Sequence, residues 1–329
     1  MVVHNGEQFV DEAVQSILAQ SMSDFEFVVV DDGSTDATGA ILEGYSARDS
    51  RMVVHRQANA GGAEARNRGF RLTSAPLVAN MDADDVALPK RLERQHEFMA
   101  RHPGVGVVGG AVAFIDASGR EFGEWRYPLA DAEIRSAFAH TTPLAHPSTM
   151  VRADAFFATS GYRRLLSPAE DIDLWLRIGD RHELANVPGV VLRYRVHPGQ
   201  ATMREYEAGA LGSLAARLAA RARAEGRPDP VDALDALDRE SLLRIGATED
   251  EVASAVVRKL TWIAKTAGRA GYAADSERLF LAAQRRAKQE SRELAAHVHR
   301  QHARVHREQG RRVKFALESL RAAQAGVAR

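Results

Sequence analysis

The chain has no cysteine among its 329 residues. That excludes disulfides, thiolate metal sites and cysteine nucleophiles. Aromatic residues are sparse, and no apolar run approaches the roughly 20 residues that span a bilayer. No signal-peptide pattern opens the chain, so a cytoplasmic location is expected. An overall excess of one charge is also missing, since 44 Lys and Arg balance 44 Asp and Glu. The balance is not local. Residues 1–204 hold 21 basic and 27 acidic side chains, a net −6, and residues 205–329 hold the other 23 and 17, a net +6. Two regions with different work are expected.

What is present is a chain 45% hydrophobic and 27% charged, enough for one large globular domain or two smaller ones. Phe25–Val30, Arg51–His55 and Pro76–Met81 are short, rich in β-branched residues and nearly continuously apolar. That pattern predicts strands buried on both faces of a parallel sheet. Between them the spacing predicts helices over Glu7–Gln20, Asp36–Arg48, Ala63–Leu72 and Lys90–Arg101. In the first, Phe9, Val10, Ala13, Val14, Ile17 and Leu18 form one stripe and Asn5 is the expected N-cap. The alternation argues for an α/β, Rossmann-like sheet. Asp116–Gly119 reads as a hairpin turn, Glu170–Asp180 as a helix and Val190–Val196 as a strand. After about Tyr206, Ala, Arg, Glu and Leu dominate with helical periodicity. Residues 205–329 are expected to form an all-helical appendix of five or six helices.

The strand ends carry the chemistry. In an open α/β sheet, ligands bind beyond the carboxyl ends of the strands. The first predicted strand ends in Asp31, Asp32, Gly33 and Ser34, and the third runs into "NMDADD", Asn80 to Asp85. The second leads into "NAGGAEARNRG", with Arg66, Asn67 and Arg68. Each could be a solvated turn by itself; three in succession at one edge point to a site. Strand alternation predicts that Asp82 and Asp84 share a face. Their hard oxygen ligands suit Mg²⁺ or Mn²⁺ beside a diphosphate, and such a cation would offset the repulsion among the carboxylates.

"HNGEQFVDEAVQSILAQSMSDFEFVVVDDGSTDAT", "NAGGAEARNRGF", "NMDADDVALPKRLERQ", "HPSTMVRADAF" and "AEDIDLWLRI" follow one another in an order that resembles family 2 glycosyltransferases, inverting enzymes with the GT-A fold. The resemblance covers about residues 2–200 and leaves 205–329 unexplained. It implies a catalytic domain over 1–204 that takes a nucleotide-diphosphate sugar, a UDP-sugar foremost. The acceptor would be a glycan, lipid-linked or protein hydroxyl, in cell-surface polysaccharide or glycolipid assembly. By the same resemblance, His4 and Asp32 meet the base, and Arg66 the base or phosphate. Asp82 lies near the ribose, and Asp84 is the main metal ligand. Glu170-Asp171 holds the catalytic base, Asp171, and His197 reaches the metal or diphosphate. Family members begin with a fuller apolar strand than "MVVHN", so the expectation is either a start placed too far downstream or a first strand that is genuinely shortened.

Plainer readings stand beside these. Glu170 and Asp171 could simply charge a helix start. His197 and His146, each before a proline, could be loop histidines, and Trp175 reads as core. A nucleotidyltransferase would usually show a basic Gly-rich loop after the first strand, which "HNGEQF" lacks. A non-catalytic sugar-nucleotide-binding scaffold is the other alternative. Residues 285–329 carry 12 Lys and Arg against four Glu. The plain expectation is a solvated face, packing on the acidic region, or homo-oligomer contact. The sharper one is peripheral contact with anionic lipid at the inner face of a membrane. Nucleic acid is not expected, because no aromatics interleave the charge.

Overall fold

The structure is a computed structural model that describes residues 1–326. Arg329, counted among the basic residues above, lies outside the described residues. The chain divides into two compact units: residues 1–115 with 123–195, and residues 116–122 with 196 onward.

In the first unit, β1 (Val2–Val3), β2 (Phe27–Asp31) and β3 (Met52–Arg56) form a parallel sheet in that order. β-Branched valines fill its centre, where Val29 and Val30 are fully buried. The strands alternate with α1 (Val10–Leu18), α2 (Thr38–Ser46) and α3 (Gly62–Leu72). α1 buries Val10, Ala13, Val14 and Ile17 in the core with Phe27 and Leu42. Its stripe forms as the spacing predicts, but Asn5 does not cap it. Asn5 sits at φ +52°, and its Oδ1 accepts the Thr35 N–H at 2.8 Å. A side chain spent on the loop after β2 cannot reach the helix start.

A second, mixed sheet has β4 (Leu77–Ala79), β8 (Met150–Arg152), β6 (Val105–Ile115), β9 (Glu183–Arg195) and β5 (Val86–Ala87) in that spatial order. β7 (Glu121–Trp125) hangs on β6. The third predicted strand therefore does not extend the parallel sheet. β4 pairs antiparallel with β8, and a bridge between Val2 and Asp82 links the two sheets. A cavity of about 430 Å³ lies alongside, lined by Phe25, Phe27, Val28, Leu77, Val78 and Met150 among others. α4 (Arg91–Arg101), α5 (Asp131–Ala137), α6 (Ala153–Ala158) and α7 (Glu170–Gly179) complete this unit. Arg91 is fully buried beneath it, donating to the carbonyls of Asn80 at 2.6 Å and Thr149 at 3.2 Å. Burial pulls its guanidinium down to about 10.

The second unit is helical: α8 (Ala201–Arg204), α9 (Tyr206–Ala224), α10 (Arg239–Arg244), α11 (Glu249–Arg269), α12 (Ala273–Glu290), α13 (Arg292–Glu308) and α14 (Arg312–Gly326). Thr248 and Glu251 close a capping box at the start of α11. The unit has its own core, with Val257, Leu260, Leu279, Phe280, Val298 and Val305 buried. Val298 and Val305 face this core, whereas Leu317 and Leu320 are exposed. Among the described residues, no helix is long and apolar enough to cross a membrane.

Candidate active site

The site forms where β1, β2 and β4 run out. Gly33 follows β2 at φ +77°, and a Cβ there would sit 2.8 Å from the Asn59 N atom. Only glycine permits this approach of the two loops. Asp32 fastens the same pair of loops. Its Oδ1 accepts from Gln57 Nε2 at 2.7 Å and the Ala60 N–H at 2.9 Å, and its Oδ2 accepts the Gly61 N–H at 2.9 Å. The carboxylate expected to read a base is thus buried with donors on both oxygens. Asp31 is equally buried, accepting the Ser34 N–H at 2.9 Å with Arg56 at 3.5 Å. His4 is exposed on the rim and joined to Asp32, whose carbonyl lies 2.9 Å from its Nδ1.

The three carboxylates of "DADD" part company. The expected strand stops at Ala79, and Ala83 and Asp84 form a turn. Asp82 and Asp84 are therefore not related by strand alternation, because the extended backbone that the alternation needs ends before them. Asp82 turns to Arg66, whose guanidinium donates to Asp82 Oδ1 at 3.1 Å and to Glu170 Oε1 at 2.7 Å. His146 Nδ1 lies 3.7 Å from the same Asp82 oxygen. Burial alone would raise the Asp82 carboxyl. Arg66 and His146 outweigh it and hold the carboxyl below the usual range. Burial likewise opposes the Arg66 charge, and Asp82 and Glu170 more than restore it.

Asp85 goes the other way. It is buried, its Oδ1 accepts the Arg195 N–H at 2.8 Å, and burial, then Asp84 and Asp82, push it well above its ordinary value. The Arg195 side chain donates to the Asp84 carbonyl at 2.7 Å, pairs with Glu12 and covers the Phe9 ring at 4.8 Å. Asp84 itself is partly exposed in its turn.

On α7, Glu170 is buried with its Oε2 lacking a hydrogen-bond partner. Asp171 is partly exposed, and its Oδ1 accepts the Ile172 N–H at 2.8 Å. Burial, helped by Asp171, pushes the Tyr127 phenol above its ordinary value. Asp173 is structural, fully buried against Arg177. Trp175 is core, stacked on His146 at 6.1 Å.

The structure thus joins Arg66, Asp82 and Glu170 directly and places Asp171 next in the helix. His197 belongs to the second unit, where its backbone N–H donates to Gln200 Oε1 at 2.9 Å. Sequence reasoning missed Tyr162, which lies 2.9 Å from His146 Nε2, and Asn67, which makes two hydrogen bonds to the Tyr162 backbone. It also missed Arg195. Asn67 stands inside a motif already singled out; nothing local marks the other two.

The two sheets, with carboxylates gathered beyond their strand ends, form a fold of the GT-A type. A family model for glycosyl transferase family 2 matches residues 1–160. The chain is 30% identical over 201 residues to the O-antigen biosynthesis glycosyltransferase WbnJ of Escherichia coli, covering 60% of this chain and 78% of that one. It is 31% identical over 187 residues to the amylovoran biosynthesis glycosyltransferase AmsE of Erwinia amylovora, covering 56% and 70%. Against the putative glycosyltransferase EpsE of Bacillus subtilis it is 34% identical over 182 residues, 54% of this chain but only 64% of that relative's length. Two solved structures share the fold. S. aureus TarS 1-349 in complex with UDP-GlcNAc has a TM-score of 0.56 at 15% identity, covering 100% of this chain and 91% of that one. Mannosyltransferase PcManGT from Pyrobaculum calidifontis, in complex with GDP-Man and Mn²⁺, has a TM-score of 0.51 at 15% identity, covering 99% and 85%. The chain belongs to glycosyltransferase family 2.

Proposed function

We propose that the chain transfers a sugar from a nucleotide-diphosphate donor, a UDP-sugar foremost, to an acceptor hydroxyl with inversion. The observation that carries this is Arg66 holding Asp82 and Glu170 together, with Asp171 following on the same helix. That arrangement supports Asp171 as the base, next to the carboxylates proposed for the donor side. WbnJ and AmsE are named for O-antigen and amylovoran biosynthesis, which supports a role in cell-surface polysaccharide or glycolipid assembly.

Asp171 takes the proton of the acceptor hydroxyl as its oxygen attacks the anomeric carbon. The bond to the diphosphate breaks, and its electron pair leaves with the phosphate oxygen. Attack opposite the leaving group inverts the centre, and no side-chain nucleophile is required. Tyr127 stays protonated near Asp171, so the base keeps an uncharged neighbour. Arg66 holds Glu170 and Asp82 in place and supplies positive charge for the donor. His4 and the loops fastened by Asp32 flank the nucleotide.

A divalent cation fits the donor set. Asp84 is a hard carboxylate, partly exposed in a turn, and suits Mg²⁺ or Mn²⁺ that keep several waters. Asp82 would contribute less directly, because its Oδ1 is already shared by Arg66 and His146. Such a cation, when bound, neutralises charge developing on the leaving diphosphate.

The test is incubation with a panel of sugar nucleotides and acceptors, with and without Mn²⁺, reading release of free nucleoside diphosphate. Acceptor-dependent release from one donor is the expected result. Binding without release would leave only the scaffold reading. Inorganic pyrophosphate formed or consumed would point to nucleotidyl transfer.

A further inference from the structure

We propose that the helical unit contains a second metal site, built from Glu277 on α12 with His302 and His306 on α13, for a divalent ion of the Zn²⁺ type. His302 and His306 are four residues apart, so both project from one face of the helix. Both are almost wholly buried. His302 Nε2 lies 3.4 Å and His306 Nε2 3.7 Å from the same Glu277 oxygen, and all three ligand atoms lie within 4.8 Å of one another. A tetrahedral ion with bonds of about 2.1 Å needs ligand atoms roughly 3.4 Å apart. Both Glu277–histidine separations are already close to that spacing. Two imidazoles and one carboxylate leave a fourth position for water, and this mixed donor set suits Zn²⁺, Co²⁺ or Ni²⁺ more than Mg²⁺.

The surroundings fit a ligand role. Phe280 stacks on the His302 ring at 4.3 Å and shields one side. Behind His302, its Nδ1 faces Gln284 Nε2 at 3.0 Å and Glu318 Oε2 at 3.6 Å. The Glu318 carboxylate, itself held by Gln284 Nε2 at 2.9 Å, faces Nδ1 and favours the tautomer with the proton there, which leaves Nε2 free to bind metal. Outer partners of this kind orient metal-bound histidines. His306 Nδ1 is buried with no hydrogen-bond partner. One group competes: the exposed Lys314 ammonium lies 3.5 Å from Glu277 Oε2. A metal ion would displace it towards solvent. The site would clip α12 to α13, separate in kind from the oxygen-ligand site of the transferase unit.

The test is titration of the full chain with Co²⁺ in excess Mg²⁺, read by the visible absorption of tetrahedral Co²⁺ and by melting temperature. Saturation at one tetrahedral Co²⁺ per chain is expected, displaced by Zn²⁺. Glu277→Gln and His306→Gln, checked for helix content by circular dichroism, should each weaken binding more than about 10-fold. Lys314→Ala should tighten it, which a merely structural cluster would not do. Absence of the tetrahedral spectrum, or equal binding by wild type and folded E277Q, overturns the site. Should H306Q fail to fold, K314A decides: unchanged affinity there also counts against it.

Discussion

Replacing Arg66 with Met tests the arrangement at the centre of the site. Arg66 makes contacts of 3.1 Å and 2.7 Å to two carboxylates, and the three side chains are 22%, 28% and 6% exposed for Arg66, Asp82 and Glu170. At an effective dielectric of about 20, each contact near 3 Å is worth about 5 kcal/mol. Desolvation of the three charges cancels much of that. Removing the cation, however, leaves two carboxylates buried without it, which costs about 3–5 kcal/mol. The partial exposure of Asp82 favours the lower end. A loss of about 3 kcal/mol lowers Tm by roughly 6–12 °C in a unit of this size. The loss depends on pH. In the wild type, the depressed Asp82 carboxyl contributes stability that is present above its ordinary value of 3.8 and lost as pH falls through the lower folded value. Without Arg66, burial is the dominant influence and raises that carboxyl, so protonation relieves the penalty as pH falls. The gap between the two proteins is therefore widest at neutral pH and narrows towards about pH 4.5. Fluorescence melts at about pH 7.5 and 4.5 read it, since Trp175 is buried against His146. Arg66→Lys keeps the charge but not the two-pronged geometry, and should recover part of the loss. A gap of equal size at both pH values, or no loss at neutral pH, refutes the reasoning.

Asp171→Asn should lower kcat by about 10²–10⁴ with donor binding little changed, measured by single-turnover and donor-titration assays. If Glu170→Gln is the more damaging change, the base is its neighbour. Asp84→Ala should leave circular dichroism and Tm unaltered while abolishing Mn²⁺-dependent turnover; full activity of that variant in chelator-treated buffer would remove the metal assignment. Changing the exposed Arg300, Arg304 and Arg307 to Gln should reduce sedimentation with anionic vesicles at low salt. Wild-type binding should itself be released at high salt, and no binding by the wild type would end the membrane reading. Gly268→Val should lower Tm by several degrees. Even a Cβ at this position would sit 2.7 Å from Val305 Cγ1 and 2.8 Å from Ser276 Oγ, and overpacking of this kind costs about 1–3 kcal/mol. An unchanged melt would mean that α11 and α13 can move apart.

The sequence by itself determined the α/β class, the helical character after about Tyr206 and the clustering of carboxylates, glycines and arginines at successive strand ends. Those features are local. A strand of valines, a stripe at helical spacing or a Gly-rich turn is written in neighbouring residues and survives in almost any packing. The order of the motifs likewise carried the family. What each carboxylate touches was a tertiary decision. Asp82 meets an arginine 16 residues away, which then reaches 104 residues further to Glu170, and Asp85 is held by the backbone of Arg195, 110 residues on. No periodicity specifies such pairs; they arise only when separate elements are packed and each buried charge must find a partner. For the same reason Asn5 left its helix for the loop after β2, and β4 turned antiparallel to pair with β8. His302 and His306 could be read as one face of a helix, but only the packing of α12 beside α13 brought Glu277 to them.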